Sequence, residues 1–360
     1  MTVRWPGRLR VAVPRQIERW SPATGHGRVW HSVLPALALR VRLHQVGDGG
    51  GRPLRRPDVW LDDGHEEPAA TELPLVVQIH EAGWLDPDVR PYLPDELVAR
   101  LAGPTERAAR AASAIITPSQ WARRTVVDAG LAPAERVHAV LHGVDTDVFS
   151  PERADRQRVG VLLPALDGRP YVLFVGHSGP RKNLGALREA MAGLAGSGFP
   201  HALVVVAGAV PGRDDQASLA SEARADLPGA PGRVLPLDEP DDRDLAAVMA
   251  GAAALCLPSH AEGFGLPVLE AMASGAPVVV SDRGALPEVA AGAGIVVEPT
   301  AEAVRAGLEQ VLGDDALADR LRAAGRERAL GLPWERTAEG WLAVLRDGAA
   351  RGGATLRRGR

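Results

Sequence analysis

Twelve short, almost continuously apolar runs constrain the fold of this chain more than any other feature. In the first half they read LRVAV, VRLHQV, VWL, LVVQIH, AIITPS and VHAVLHGV; in the second, YVLFVG, ALVVVAG, RVLPL, AALCLP, PVVVS and GIVVEP. Strict apolar–polar alternation would mean sheets with one wet face. Continuous runs mean strands covered on both faces, as in parallel sheets. The Ala- and Leu-rich stretches between them supply helices for right-handed βαβ crossovers. Two such series in succession predict an α/β protein of two facing, doubly wound, Rossmann-like domains. One spans 1–165 on the acceptor side and the other 166–347 on the donor side, with the seam in the polar, proline-bearing stretch 150–170. Ligands of such sheets bind beyond the carboxyl ends of the strands, at the topological switch point, which places the site in the cleft between the domains. Helices are expected over Ala316–Leu330 and Pro333–Arg346, the last placed to cross back. A loop is expected over Gly49–Pro57 and a disordered Gly- and Arg-rich tail over 348–360.

The totals narrow the function classes. Hydrophobic residues make up 46% and charged residues 24% of the 360, the balance of a folded globular protein. Up to Ser150 there are 18 basic and 18 acidic residues, leaving 23 and 27 of the 41 and 45 for the rest. Neither part carries the basic excess of a phosphate-backbone binder, so no nucleic-acid partner is expected. Cys256 is the single cysteine, which excludes an internal disulfide and a Cys-based zinc site and fits a buried position in a reducing cytoplasm. No apolar stretch is long enough for a membrane span, and the N-terminus is too polar for a signal peptide. A cytoplasmic location follows as the expectation. The arginines Arg100, Arg107, Arg110, Arg123 and Arg124 form either a solvated helix face or a peripheral contact with the inner membrane face.

The segment PSHAEGFGLPVLEAMASGAPVVVSD, residues 258–282, is the most informative. A strand ends near Pro258, a glycine-bearing loop follows, and a helix starts at Leu266–Pro267, where a proline without an N–H is tolerated. Gly275 and Pro277 supply the stop. The amides of Phe264, Gly265 and Leu266 at that helix start make an anion cradle, reinforced by the helix dipole. Glu262 and Glu270 frame the loop, and carboxylates can accept hydrogen bonds from the paired hydroxyls of a ribose or a hexose. In YVLFVGHSGPRKNLGALREAM a strand runs through the Gly176 turn to Asn183, a helix N-cap by its residue type, with Arg181 and Lys182 just before it. Two cations at the positive end of a helix suit a diphosphate. Lys182 is the only lysine in the sequence, in a chain whose other basic residues are arginines.

The stretch EGFGLPVLEAMASG, with its two glutamates eight residues apart, resembles the donor-site motif of glycosyltransferase family 4, retaining transferases of the two-domain GT-B fold (glycosyltransferase group 1). The resemblance covers nearly the whole chain, is specific from Gly176 to Pro299, and is faint before Pro74. It implies that Glu270 binds the donor ribose, that Glu262 contacts hydroxyls of the transferred sugar, and that the 264–266 amides lie near the diphosphate. Arg181 and Lys182 would neutralise the leaving nucleotide diphosphate. Where some members have an arginine after the glycine of this turn, His177 stands here. The family has no need of a metal and its mechanism names no protein nucleophile, so neither a metal nor a cofactor beyond the UDP-, GDP- or dTDP-sugar donor is expected.

The first half reads less sharply. Gly25 and Gly27 stand where the family has a small-residue loop near donor and acceptor, though a bare GxG is equally an ordinary turn. His80 and Glu81 end a strand; members often place a histidine here beside the transferred sugar, and a structural capping pair is the alternative. ASAIITPS and VLHGVD resemble the family's ADAIITVS and PNGVD, with His142 in place of asparagine and with Asp145 and Phe149 structural. Asp62–Asp63 reads as a loop pair rather than a metal site. Two rival functions share much of this chemistry: another sugar-nucleotide enzyme on the same fold, an epimerase or phosphorylase, and a non-catalytic two-lobed sugar-binding protein. The acceptor, whether glycan, lipid-linked or small molecule, is not encoded in these motifs.

Overall fold

The computed structural model describes residues 8–22, 24–47, 56–177, 179–207, 221 and 224–358. The chain divides into two compact units, Met1–Gly143 with Trp334–Arg360, and Val144–Pro333. Each is built on a six-stranded sheet whose strand pairings are all parallel.

In unit 1 the strands are β1 (Arg10–Pro14), β2 (Arg42–Val46), β3 (Val59–Asp63), β4 (Leu75–Gln78), β5 (Ala114–Thr117) and β6 (Val137–Ala139), ordered β2-β1-β3-β4-β5-β6. Central β4 and β5 are buried along their whole length, as their uninterrupted LVVQ and AIIT runs require. Unit 2 holds β7 (Tyr171–Val175), β8 (Ala202–Val206), β9 (Val234–Leu237), β10 (Ala254–Leu257), β11 (Val278–Ser281) and β12 (Ile295–Val297), ordered β12-β11-β10-β7-β8-β9. Each sheet has one switch point. In unit 1 the chain leaves β1 for β2 on one side and returns to β3 on the other; in unit 2 it leaves β7 for β8 and β9 and returns to β10. The carboxyl ends of β1 and β3, and of β7 and β10, are therefore where each sheet can hold a ligand.

Two boundaries differ from the sequence expectation. The units part at 143/144 rather than 165/166, because the segment after Val144 packs within unit 2. Its helix Arg156–Leu162 is tied to the helix Asp242–Ala250 by Arg158, whose Nε and Nη2 donate to Asp244 at 2.7 and 2.8 Å. The tail expected to be disordered continues the last helix, Trp334–Arg358, and this helix belongs to unit 1. Glycines make the packing possible: a Cβ at Gly348 would lie 2.4 Å from Val76 and one at Gly352 2.6 Å from Pro74. Trp341 of that helix meets Trp30 edge-on at 5.1 Å, both fully buried. Truncating either to alanine would cost about 3–5 kcal/mol. The loop expected at 49–57 lies, except for its last two residues, outside the described residues. Among the described residues no helix is long and apolar enough to cross a membrane.

Candidate functional site

At the switch point of unit 2 the two motif segments meet, because β7 and β10 are hydrogen-bonded neighbours. From β7 the chain passes Gly176 into a short 3-10 turn, Pro180–Lys182. From β10 it passes Pro258 to Glu262. Between them lies a compact ion knot. Glu262 Oε1 accepts from Lys182 Nζ and from Ser259 Oγ, both at 2.7 Å, and Oε2 accepts from Arg181 Nη1 at 3.3 Å. Arg181 Nη1 also donates to the Ala261 carbonyl at 2.7 Å, and the His260 N–H donates to the Arg181 carbonyl at 2.8 Å. All three charged side chains are nearly buried, at 9, 8 and 13% exposure for Lys182, Glu262 and Arg181. Burial pushes the Glu262 carboxyl up, but the adjacent Lys182 and Arg181 charges and the hydrogen bonds from Lys182 and Ser259 outweigh it, holding it at about 2. Two cationic side chains against one carboxylate leave a net positive charge in the knot at the carboxyl edge of the sheet.

Backbone geometry builds the knot. Gly176 has φ +151°, and a Cβ there would press on the Lys182 alkyl chain at 3.1 Å, so the glycine makes room for the lysine. At Gly284, φ is +62° and a Cβ would lie 2.6 Å from the Glu262 nitrogen; beside it the Ala285 N–H donates to the Glu262 carbonyl at 2.9 Å. Asn183 does occupy the N-cap position of the helix Leu184–Gly196, but makes no side-chain cap bond. It adopts φ +55°, and its amide nitrogen donates to the Pro258 and Pro299 carbonyls at 3.1 and 2.8 Å, tying the two motif loops together. The second helix begins at Leu266 with Pro267 in its first turn and Gly265 as N-cap at φ +100°, and it ends at Ala273 before Gly275 at φ +79°. Phe264 and Leu266 are buried at its start and Glu270 is buried one turn inside. The helix start follows four residues after Glu262, which holds the two cations, a combination suited to an anion. His177, which replaces an arginine of the resemblance, accepts the Gly179 N–H at 3.1 Å and so shapes the turn.

A family profile described as "Glycosyl transferases group 1" matches residues 163–328. The D-inositol 3-phosphate glycosyltransferase 1 of Catenulispora acidiphila is 32% identical over 286 residues, 76% of this chain and 67% of that protein. The chain belongs to the group 1 glycosyltransferases. The O-antigen chain mannosyltransferase B of Escherichia coli is 29% identical over 250 residues, 68% of this chain and 63% of that protein. Several relatives are matched over little more than half their own length, as in the 54% of the Acidothermus cellulolyticus D-inositol 3-phosphate glycosyltransferase. Among solved structures, sucrose-phosphate synthase from Thermosynechococcus elongatus superposes with a TM-score of 0.70 at 20% identity, over 92% of this chain and 97% of that one. With its two parallel sheets, this group 1 glycosyltransferase has the two-domain α/β GT-B fold.

In unit 1 of this group 1 glycosyltransferase, Gly25 and Gly27 do not form a loop. They lie in the first turn of the helix Gly25–Ala38, whose N-cap Thr24 accepts the Gly27 N–H at 3.0 Å. A Cβ at Gly27 would lie 2.0 Å from the Ser21 carbonyl oxygen, so that glycine is required by close packing. His80, just past β4, lies beside Asp63 at the end of β3, with 3.3 Å between Nε2 and Oδ2. His26 and His65 join them: His26 Nε2 is 3.0 Å from the same oxygen, and the His80 N–H donates to His65 Nε2 at 3.2 Å. Burial keeps the His65 imidazole neutral, at about 3, and lowers His80 and His142 as well. Asp62, read as half of a loop pair, is a buried strand residue that accepts the Ala69 N–H. Asp63, the other half of that pair, ends the same strand, whereas Ser259, Gly284, His26 and His65 were not singled out from the sequence. Ser259 had a readable signal, three residues before Glu262 at the end of an apolar strand. The glycine and the imidazoles are recruited by tertiary approach and carried none.

Proposed function

We propose that this chain is a retaining glycosyltransferase that moves a hexose-type sugar from a nucleotide diphosphate donor to an acceptor without a metal on the diphosphate. The observation that carries the reading is the buried Arg181–Lys182–Glu262 knot at the switch point of unit 2, next to the N-terminus of the helix Leu266–Ala273. Breaking the bond from sugar to phosphate develops charge on the departing diphosphate. Fixed cations and helix dipoles aimed there lower the barrier without reorganising. The knot is already assembled and desolvated, so little ordering remains when the donor arrives. In this reading Glu270 holds the ribose and Glu262 both positions the cations and meets hydroxyls of the transferred sugar. Retention, metal independence and the ribose role rest on the resemblance carried by EGFGLPVLEAMASG. The name of the Escherichia coli relative makes a mannosyl donor the first to test.

A donor screen by ligand-detected NMR across UDP-, GDP- and dTDP-sugars tests the reading, followed by product analysis. The expected result is saturable binding of one class of donor and release of nucleoside diphosphate that depends on an added acceptor. An epimerised donor formed with no acceptor present would replace this reading with that of another sugar-nucleotide enzyme. Absence of any nucleotide binding would overturn it altogether.

A further inference from the structure

The carboxyl edge of the unit 1 sheet carries a second polar cluster, chemically unlike the first. Three ring nitrogens converge on one oxygen of Asp63. Trp30 Nε1 donates to Oδ2 at 3.0 Å, His26 Nε2 lies 3.0 Å from that atom, and His80 Nε2 lies 3.3 Å from it. The other oxygen, Oδ1, accepts the His65 N–H at 2.8 Å. A carboxylate oxygen has two lone pairs, and an indole N–H is always a donor. Once Trp30 is bonded, one lone pair of Oδ2 remains for two imidazole nitrogens. Hydrogen bonding alone therefore leaves one of the two rings poorly satisfied inside a site where Asp63 is 1% exposed.

A cation resolves the conflict. Neutral imidazoles can turn both Nε2 lone pairs, together with an Asp63 lone pair, on a common point. The three ligand atoms lie within 4.8 Å of one another. A tetrahedral zinc with ligand bonds of about 2.0–2.1 Å has ligand-to-ligand edges of roughly 3.3 Å. The two measured edges, 3.0 and 3.3 Å, are of that length. We propose that His26, Asp63 and His80 form a binding site for a divalent transition metal, zinc foremost, with one position left for water or an outside ligand.

The fold holds these residues in place. His26 sits in the first turn of the Thr24-capped helix after β1, Asp63 ends β3, and His80 follows β4. These are consecutive strands of one sheet, on the side of the switch point where such sheets bind ligands. The neighbours are those a metal-binding pair needs. Trp30 and the His65 N–H fix the Asp63 carboxylate, while His65, bonded to Thr105 Oγ1 at 3.0 Å, fixes the His80 backbone. The His26 side chain is 32% exposed, which gives the ion a way in and leaves the open position facing water. Two imidazoles and one carboxylate favour zinc and its neighbours over magnesium or calcium, which take oxygen ligands. Three protein ligands and an open position match reactive zinc sites rather than closed structural ones. The site takes His80, which the resemblance places beside the transferred sugar, whereas the diphosphate reading rests on unit 2 residues alone.

The test uses the full chain without an affinity tag, stripped by chelator and dialysed, and titrated with zinc chloride by calorimetry. Cobalt(II) absorption in parallel reports four-coordination. Expected are one equivalent of zinc bound with micromolar or tighter affinity and intense visible cobalt bands. Affinity should fall by roughly tenfold or more in His26→Ala, whose ligand is partly exposed and whose fold circular dichroism can check. His31→Ala changes an exposed histidine on the same helix, bonded to the Trp20 carbonyl, and should bind as the parent does. Less than half an equivalent of zinc in the parent would overturn the proposal. So would unchanged affinity in both His26→Ala and His80→Ala, or an equal loss in His31→Ala.

Discussion

Replacing Lys182 with methionine removes one charge from the knot while keeping most of the side-chain volume. The ammonium is 2.7 Å from Glu262 Oε1, and both side chains are less than a tenth exposed. Removing one partner of a buried ion pair strands the other, at a cost of about 3–5 kcal/mol. Here Arg181 and Ser259 still reach the carboxylate, at 3.3 and 2.7 Å, so the lower end, about 3 kcal/mol, is expected. In a domain of this size that lowers the melting temperature of unit 2 by roughly 6–12 °C. Lys182→Met combined with Glu262→Gln removes the stranded charge and should recover at least about 1 kcal/mol relative to the sum of the single changes. Transfer should behave differently. Lys182→Met should lower turnover by roughly a hundredfold, and the double variant, though restabilised, should not regain it, because the diphosphate still lacks its cation. Calorimetric melting of the four proteins and acceptor-dependent release of nucleoside diphosphate check both halves. A Lys182→Met protein that melts with the parent, or strictly additive single changes, would refute the argument that this pair is desolvated and coupled.

Glu270→Ala should leave the fold intact and weaken donor affinity by roughly tenfold or more, since a buried polar contact is worth about 1–3 kcal/mol; titration of the donor class found in the screen reads this directly. Transfer should survive exhaustive EDTA; inhibition reversed by magnesium or manganese would mean that the cationic knot does not balance the diphosphate. The Glu262 carboxyl lies at about 2 in the folded chain against an ordinary 4.5, so its contribution, about 3 kcal/mol, is present above 4.5 and lost as the pH falls towards 2. The melting gap between the parent and Glu262→Gln should therefore shrink across that window and stay constant above it. Gly284→Ala should destabilise unit 2 and lower turnover together, because a Cβ 2.6 Å from the Glu262 nitrogen must displace the knot.

The architecture was legible because its cause is local. Each apolar run that covers a strand on both faces, such as LVVQ at β4 or ALVVV at β8, carries the parallel sheet in its own composition. The helix at Leu266 was equally readable, since Pro267 and Gly275 fix its ends by their backbone preferences. What failed were inferences from residue type without contacts. Asn183 does stand at the N-cap, but its side chain braces two loops rather than capping the helix. The glycines near 348 look like a floppy tail and are instead the smooth face on which a helix approaches β4. The Gly25–Gly27 pair looks like a loop and is the crowded first turn of a helix. For Asn183 and the glycines near 348 the deciding neighbour is far away in sequence, and no spacing rule reaches it; for Gly27 it is the nearby Ser21 carbonyl and the Thr24 cap.

Both sheets place a buried carboxylate at the carboxyl edge beside their switch point, but the partners differ in kind. Glu262 is held between Lys182 and Arg181, two cationic side chains of the chain itself against one carboxylate. Asp63 is approached by imidazoles, and burial disfavours protonation of His65, His80 and His142. Against the cost of burial, the nearby His26 and His80 rings hold the Asp63 carboxyl well below its usual range. The two edges thus differ in the chemistry of their cations, a lysine and an arginine in unit 2 and ring nitrogens in unit 1. Composition bears this out at the residue level. The only lysine of an arginine-rich sequence sits where Gly176 leaves space for its alkyl chain, and a compact ammonium differs in shape from the planar guanidinium fork.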